Sequence, residues 1–335
     1  MLLVDSFPIA SAERQSKGNE ILPLLLDHPT LISTSCRLKA MLEKAVAFSE
    51  DSPPFKHVYV FQGEYATVHP SLIEFVGTDE ATTCVGLVIR NPSTKITSIS
   101  HMDHERVVDM GLSQMLAFVV DNNVDATLDV HLIGSFEDVP YEKPRRHLNY
   151  SGYSVPLCSK IIEALQDRQE KFQVQTFCVL SHNTKKDLNG SSMPIITGFL
   201  VETSTGTIMP ACFNKSTRCP DEIVRRIRIS VSREDPCWEM KLLETYDTFL
   251  DRFVIAPCSW MLEWENRALS LQQLSDSKIL KLCSTYPTAE APDFVENLRR
   301  VWNYLMRYPH WEQSFTGRKP RIFERTTTGG WSRCK

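Results

Sequence analysis

Apolar and polar residues alternate along this chain in a way that predicts strands interspersed with helices. The two clearest strand-like runs are Cys84–Arg90 and Lys95–His101, and the residues Asn91-Pro92-Ser93-Thr94 between them are typical of a turn. The pattern predicts an antiparallel hairpin. Because its strands run in opposite directions, Cys84 at the start of one strand lies near His101 at the end of the other.

Helical spacing of apolar residues alternates with further extended segments on both sides of this hairpin. Before the hairpin, Ser35 is expected to cap a helix that Ser52-Pro53-Pro54 ends. Apolar residues from Val108 to Val119 predict a helix that ends at Asp121-Asn122-Asn123. Further along, the pattern predicts strands at 58–60, 63–68, 127–133, 173–180, 195–201 and 207–212, and helices at 157–171 and from Phe294 to Leu305. It also predicts a loop between sheet strands at 77–84 and an exposed loop at 184–192.

The turn Thr203-Ser204-Thr205-Gly206 favours an antiparallel pair of strands over a purely parallel sheet. The fold class predicted is therefore α+β, with a mixed, largely antiparallel β-sheet core flanked by helices. No low-complexity linker divides the chain. We expect residues 1–316 to form a single α+β domain and residues 317–335 to form a polar, mobile C-terminal tail.

Composition narrows the classes of function. The chain has 335 residues, of which 42% are hydrophobic, and a formal net charge of −4, so it can bury a sizeable core but is a poor candidate for binding nucleic acid. No apolar stretch approaches the roughly 20 residues that cross a bilayer, so no membrane partner is expected. The short basic clusters are expected on the solvated surface. These clusters are Lys143–Arg146, Arg225–Arg228 and Arg318–Arg321.

The ten cysteines include no Cys-x-x-Cys pair, and Met1–Asp5 is too short and too soon acidic for a signal peptide. We therefore expect reduced thiols, in the cytoplasm or the nucleus. The chain also lacks a Gly-x-Gly-x-x-Gly, a Walker loop and a Gly-x-Ser-x-Gly elbow, which argues against nucleotide-dependent and serine-hydrolase chemistry.

A thiol beside an imidazole suggests nucleophilic catalysis. An imidazolium next to Cys84 is expected to lower the pKa of the thiol, and the resulting thiolate would attack a carbonyl-type carbon. The residues alone leave two alternatives open. Cys84 could be a buried strand cysteine and His101 a surface cap, or His101-Met102-Asp103-His104 could bind zinc together with Cys84. We favour catalysis with neither a metal nor a cofactor, and we expect His131 to be a core histidine.

Four segments carry a resemblance to a known family. They are Gly77–Cys84, Asp129–Phe136, Pro257–Trp260 and Ser284–Glu290. All four resemble segments of the protein N-terminal asparagine amidohydrolases, and the similarity extends over most of the chain. Bacterial chemoreceptor glutamine deamidases are more distantly similar. They place a Thr six residues before the catalytic Cys and a His seventeen residues after it, where this chain has Thr78, Cys84 and His101.

The resemblance implies a Cys-His deamidase fold and an enzyme that converts the N-terminal asparagine of proteins or peptides to aspartate, releasing ammonia through a thioester. Cys84 and His101 would be catalytic, and the Thr78 hydroxyl would orient the histidine or the substrate. Backbone N–H groups around Thr83 and Cys84 would bind the oxyanion. The family also implies a place in the cytosolic N-degron pathway, before arginylation and ubiquitin-dependent degradation.

A terminal asparagine differs from an internal one by its α-ammonium, so a terminus-specific enzyme is expected to hold a carboxylate near that cation. Asp103 and then Asp79 are the preferred candidates, with Glu80 and Glu64 in reserve. Two alternative functions stay open. One is a general protein Asn/Gln deamidase, and the other is a non-catalytic module that recognises N-termini.

Overall fold

The computed structural model describes residues 1–9, 17–48, 55–120, 126–138, 152–235, 238 and 240–334. Within these residues it is an α+β structure whose sheets are mixed and largely antiparallel, so the predicted fold class is confirmed. The strands are β1 Leu2–Val4, β2 Phe7–Pro8, β3 Lys44–Val46, β4 His57–Tyr59, β5 Glu64–Val68, β6 Phe75–Thr78, β7 Val85–Arg90, β8 Thr97–Met102, β9 Thr127–Gly134, β10 Lys171–Cys178, β11 Thr184–Lys186, β12 Ser192–Pro194, β13 Phe199–Glu202, β14 Ile208–Phe213, β15 Leu243–Glu244, β16 Tyr246–Asp247, β17 Arg252–Ile255, β18 Arg321–Arg325 and β19 Trp331–Arg333.

The helices of the described residues flank these sheets. They are α1 Gly18–Leu26, α2 Pro29–Ala40, α3 Val108–Val119, α4 Ser154–Gln166, α5 Glu222–Glu234, α6 Leu262–Gln272, α7 Asp276–Cys283, α8 Phe294–Arg307 and α9 Trp311–Ser314. The helix predicted from Val108 to Val119 and the one predicted from Phe294 are both present, because each presents an apolar face at helical spacing.

The central sheet has the strand order β15-β5-β8-β7-β9-β10-β1-β2, and the predicted hairpin β7–β8 lies in its middle. β7 and β8 pair antiparallel, with Gly86 opposite His101. Both faces of this hairpin are covered. Leu87 and Ile89 pack with α3 and α4 on one face, and Val88 packs with the second sheet on the other. Such double coverage explains why both strands are apolar almost throughout.

The second sheet has the strand order β3-β14-β13-β6-β4. β13 and β14 pair antiparallel across the turn Thr203–Gly206, as predicted. β6 ends at Thr78 in this sheet, whereas β7 begins at Val85 in the central sheet. The loop 79–84 therefore crosses from one sheet to the other, and it carries Cys84 to the place where the two sheets meet.

Two helix predictions have wrong bounds. The helix expected to start at Ser35 is α2, which starts at Pro29, so Ser35 lies in its interior and its buried hydroxyl donates to the Phe177 carbonyl at 3.1 Å. The predicted terminator, residues 52–54, lies outside the described residues, as do residues 121–123. The helix expected to reach residue 171 ends at Gln166, because Lys171 already begins β10 beside β9.

The residues after Gly317, expected to be a polar mobile tail, instead supply two strands. β18 pairs with β17 and with β19, and its Phe323 is buried in the core. The sequence did not reveal these strands, because they are short and rich in charged residues, so the alternation of apolar and polar positions is too weak to predict a strand. The loop predicted at 184–192 is a short hairpin, β11–β12, with an exposed tip at residues 187–190.

The basic cluster Arg225–Arg228 was expected on the surface, and that expectation is wrong. Arg225 is fully buried and binds Glu64 at 2.6 Å, and Arg228 is also buried. Arg321 of a second cluster is buried as well and binds Asp221 at 2.6 Å. Residues 143–146 lie outside the described residues. These arginines are tolerated inside because carboxylates and carbonyls accept their hydrogen bonds.

Candidate active site

Cys84 is the last residue of the loop 79–84, and its backbone is fixed by the end of β9. The Ser135 N–H donates to the Cys84 carbonyl at 2.7 Å. Gly134 has a φ of +104°, and a Cβ atom there would lie 2.8 Å from the same carbonyl oxygen. Only glycine fits this close approach. The segment Asp129–Phe136 thus acts as a support for Cys84, whose side chain is 7% exposed.

His101 is oriented by Thr78. The Thr78 hydroxyl lies 2.8 Å from the imidazole Nδ1, and it has the Asp79 carbonyl as an acceptor at 3.5 Å. A hydroxyl that donates to this carbonyl accepts from Nδ1–H, which leaves Nε2 without a proton. Within the described residues, Nε2 of His101 is buried and has no hydrogen-bond partner. The imidazole is therefore held in the tautomer that a base requires.

Cys84 and His101 share one electrostatic environment, since the charges of Glu80 and Arg233 act on the pKa of both residues. Pairing of Gly86 with His101 brings the histidine beside the start of β7, directly after Cys84. The structure thus brings together Cys84, His101 and Thr78, the three residues that the sequence suggested as catalytic.

The loop around Cys84 has both occupied and unoccupied backbone donors. The N–H of Ala81 donates to the Thr197 carbonyl and the N–H of Thr82 donates to the Glu80 carbonyl, so these two donors are occupied. The N–H groups of Thr83 and Cys84 have no acceptor among the residues that the structure describes. Unpaired N–H groups beside a nucleophile match the donors expected for an oxyanion.

Burial sets the protonation of the pair. Desolvation raises the pKa of the Cys84 thiol to about 12, and the nearby Arg233 only partly opposes it. Desolvation also lowers the pKa of His101 to about 4. The sequence-based expectation of a resting thiolate and imidazolium does not fit this environment, because neither charge is well solvated. The resting pair is a neutral thiol beside a neutral imidazole.

This protonation state predicts slow alkylation of Cys84. Raising the thiol pKa from about 8.5 to 12 lowers the thiolate fraction at pH 7 by roughly three orders of magnitude. We expect iodoacetamide at pH 7 to modify the exposed Cys36 well before Cys84. Peptide mass spectrometry after timed quenching measures both rates. Preferential modification of Cys84 in the free protein would instead show a resting thiolate and restore the ion-pair expectation.

Asp79 and Glu80, two of the carboxylates suggested for ammonium binding, already have partners. Asp79 is buried and accepts from Tyr59, from the Phe213 N–H and from Arg218. Burial, and then the charge of Glu80, raises its pKa to about 6. Both oxygens of Glu80 bind Arg226 at 3.0 Å. Although burial opposes ionisation of Glu80, Arg226 and Arg218 hold its pKa below the ordinary value.

The other two suggested carboxylates are also compensated. Asp103 contacts Arg233 and accepts from Gln62 at 2.9 Å. Glu64 is fully buried against Arg225 and accepts from the Phe61 N–H at 3.0 Å. These two ion pairs connect α5, which carries Arg225 and Arg233, to the start of β5 and the end of β8. Substrate binding by these four residues and by Thr83 stays a prediction.

Sequence reasoning assigned no role in the site to the arginines of α5 or to the segment 284–290, although that segment is one of the four that resemble the family. Arg226 and Arg233 lie on α5, far along the chain from Cys84, so no local sequence pattern linked them to the site. The Thr285 hydroxyl lies 3.3 Å from the Thr83 hydroxyl, and Tyr286 packs edge-on against Phe136. The signal that could have found this segment was its family resemblance. Trp260 of the third resembling segment is a core residue that donates to the Tyr308 carbonyl.

The other histidines have local roles. His104 accepts the Arg106 N–H at 3.1 Å and caps a short 3₁₀-helix at Glu105–Val107. His131 is buried with Nδ1 3.1 Å from the Thr176 hydroxyl, and burial lowers its pKa to about 3. In the described part of the chain, no group of three or more His, Cys, Asp or Glu residues is arranged to bind a metal. None of the described helices is long and apolar enough to cross a membrane.

Comparison with known proteins identifies the family of this chain. The family model of the protein N-terminal asparagine amidohydrolases matches residues 47–333. The chain belongs to this family. A protein N-terminal asparagine amidohydrolase of Arabidopsis thaliana is 51% identical, with 98% of this chain and 96% of the relative covered. The relatives of that name from Sus scrofa and Homo sapiens are 29% and 28% identical over 82% of this chain and 82% and 83% of theirs. Membership of the family places the chain among enzymes that act on amides.

Proposed function

We propose that this amidohydrolase deamidates N-terminal asparagine to aspartate through a covalent thioester on Cys84. The observation that carries the proposal is the His101 imidazole, bound at Nδ1 by Thr78 at 2.8 Å and free at the buried Nε2, next to the loop that ends at Cys84. The names of the relatives point to the same substrate. A packed structural cysteine would not need a histidine with an unpaired buried nitrogen beside it.

In the first step, His101 Nε2 accepts the thiol proton as the Cys84 sulfur attacks the carboxamide carbon of the asparagine side chain. The oxyanion that forms is within reach of the unpaired N–H groups of Thr83 and Cys84. The imidazolium then donates this proton to the amide nitrogen, the C–N bond breaks as the carbonyl re-forms, and ammonia departs. The acyl group remains on Cys84 as a thioester. Because the pKa of His101 is depressed, its imidazolium is a strong acid toward this leaving group.

In the second step, the neutral imidazole accepts a proton from water as the oxygen attacks the thioester carbon. The C–S bond breaks, the sulfur takes the proton back from His101, and the product is an N-terminal aspartate. Asparagine and water have become aspartate and ammonia, with the enzyme unchanged. A new N-terminal aspartate is the substrate that arginylation requires, so we place the reaction before arginylation and ubiquitin-dependent degradation, in the cytoplasm and nucleus.

Peptides test this function directly. We expect a peptide with a free N-terminal asparagine to gain about 1 Da and to release one ammonia per chain. An N-acetylated copy should have a kcat/KM at least about 100-fold lower, because it has no ammonium to pair with the carboxylate of the site. Mass spectrometry and an ammonia assay measure both. A peptide that begins with glutamine and one with internal asparagine complete the set.

Each other outcome has a meaning. Equal rates for free, acetylated and internal asparagine would contradict the terminal restriction and make the protein a general deamidase. Binding of the free terminus without any ammonia release would make it a recognition module. A reaction lost in EDTA and restored by zinc would contradict the metal-free thiol mechanism.

A further inference from the structure

We propose that Arg218 is a positioning residue for the reaction, because its buried guanidinium holds Asp79 and Glu80 at the start of the loop that carries Cys84. The inference rests on the function proposed above. Arg218 follows β14 of the second sheet, and its side chain is 6% exposed. It acts through the loop and does not itself react. It fixes the loop 79–84 in the conformation in which the base and the oxyanion donors meet the same carboxamide.

One guanidinium bridges two consecutive residues of this loop. Its Nη2 binds the Asp79 carboxylate at 3.0 Å, and its Nη1 binds Glu80 at 2.8 Å and Asp293, beside the start of α8, at 2.9 Å. Two adjacent carboxylates in a buried place repel each other, so they stay together only with a cation between them. Burial disfavours ionisation of both carboxyls, and the charge of Arg218 lowers the pKa of each against that effect.

The backbone around Arg218 is held on both sides, so the guanidinium is a fixed point. The Thr217 carbonyl accepts from His57 Nε2 at 2.8 Å, and the Cys219 carbonyl accepts from Arg225 at 3.2 Å. Both donors are buried side chains. Arg218 is therefore anchored outside the loop, and the loop takes its position from this anchor.

Asp79 connects this anchor to the base. Its carboxylate accepts from Arg218 and from the Phe213 N–H, the latter at 2.8 Å. The carbonyl of the same residue is the acceptor at 3.5 Å for the Thr78 hydroxyl, which lies 2.8 Å from Nδ1 of His101. Rotation of the Asp79 peptide would remove that acceptor, and the hydroxyl could then donate to Nδ1, which places the proton on Nε2. Arg218 thereby maintains the tautomer of His101 that a base requires.

Glu80 connects the anchor to the oxyanion donors. Its φ is +62°, in the left-handed region that residues with a side chain rarely adopt, and such a conformation persists only where surrounding contacts hold it. Its carboxylate binds Arg218 through one oxygen and Arg226 through both. The turn at Glu80 sets the direction of the residues that follow, among them Thr83 and Cys84, whose N–H groups have no acceptor within the described residues. Release of this turn would move both donors away from the oxyanion.

The first measurement separates positioning from substrate binding. Arg218→Lys keeps a cation, but one ammonium cannot span both carboxylates as the planar fork of arginine does. We expect kcat for an N-terminal asparagine peptide to fall about 30-fold and KM to stay within about 3-fold, because the groups that act in the transition state move while the ground-state contacts are kept.

A second ligand reports on the oxyanion donors. It is the same peptide with an aldehyde in place of the side-chain carboxamide. The Cys84 thiol adds to this aldehyde, its sulfur bonding to carbon and its proton passing to the oxygen, which then occupies the oxyanion position. Arg218→Lys should weaken the Kd of the aldehyde by about 30-fold in inhibition kinetics. The Kd of the asparagine peptide, measured by calorimetry in the Cys84→Ala background, should change by less than about 3-fold.

The matched control is Arg325→Lys. The Arg325 side chain is 7% exposed and binds both oxygens of Asp251 at 2.8 Å from β18. This variant weakens a comparable ion pair outside the loop, so kcat should stay within about 3-fold. Glu80→Gln is the second variant, because it keeps the shape of the side chain and removes one charge of the network. We expect its kcat to be about 10-fold lower at unchanged KM.

Thermal melting verifies that each variant is folded. If folded Arg218→Lys keeps the wild-type kcat and aldehyde affinity, the assignment of Arg218 is overturned and the proposed function stands. A higher KM at unchanged kcat would make the network a substrate-binding group and would also overturn it. Should Arg218→Lys fail to fold, Glu80→Gln decides by the same criteria. If the wild-type protein neither deamidates the peptide nor binds the aldehyde, the proposed function fails and this inference fails with it.

Discussion

Cys84→Ala is expected to abolish deamidation while the protein stays folded. The sulfur forms the covalent bond in the first step, and it acts as a unit with its base, His101. Loss of such a nucleophile lowers kcat by about 10⁴- to 10⁶-fold. Cys84 is 7% exposed, and removal of one sulfur atom leaves only a small cavity. Ammonia release from an N-terminal asparagine peptide measures the loss.

Cys178→Ala is the matched control. Cys178 is also a buried cysteine whose pKa burial raises to about 12, but it lies on β10. We expect this variant to keep activity within about 3-fold, since only core packing changes.

Detection of the covalent intermediate is a second, independent test of Cys84. Wild-type protein that is acid-quenched during turnover should carry a species heavier by the peptide minus ammonia, and Cys84→Ala should not. Turnover by Cys84→Ala at a tenth of the wild-type rate would rule out the nucleophile assignment.

His101→Ala is expected to lower kcat by about 10³-fold or more, because the thiol then has no base and the leaving nitrogen has no acid. The variant Cys84→Ala/His101→Ala should be no slower than Cys84→Ala alone, since the two residues act in one step. His104→Ala is the control, because His104 caps a surface 3₁₀-helix and should be dispensable. A doubly substituted protein much slower than Cys84→Ala would show that His101 acts independently of the thiol.

The pH profile of the wild-type enzyme distinguishes the two protonation schemes. The base form of His101 is neutral, and burial lowers its pKa to about 4, so the fraction of active base stays high as the pH falls from 7 toward 4 and is lost below it. An acid limb of kcat/KM near pH 6.5 would mean that His101 titrates with its ordinary value. That result would contradict the burial of the imidazole in the free enzyme.

The sequence by itself determined the local parts of this protein. The hairpin that carries Cys84 and His101 follows from two apolar runs and a turn, and helix α3 follows from apolar residues at helical spacing, because both patterns are short-range. The spacing of Thr78, Cys84 and His101 likewise indicated a thiol and an imidazole close enough to act together in catalysis. The four resembling segments indicated the family that the comparisons show.

Only the tertiary structure decided the charges and the partners. Arg226 lies 146 residues from Glu80, and Thr285 lies 202 residues from Thr83, so no local pattern could reveal that they meet. The pKa values of Cys84 and His101 moved in the direction opposite to the sequence-based expectation, because desolvation depends on what covers a residue and not on its neighbours in the chain. Spacing along the chain identifies which groups can react, and burial among distant segments sets which proton each of them holds.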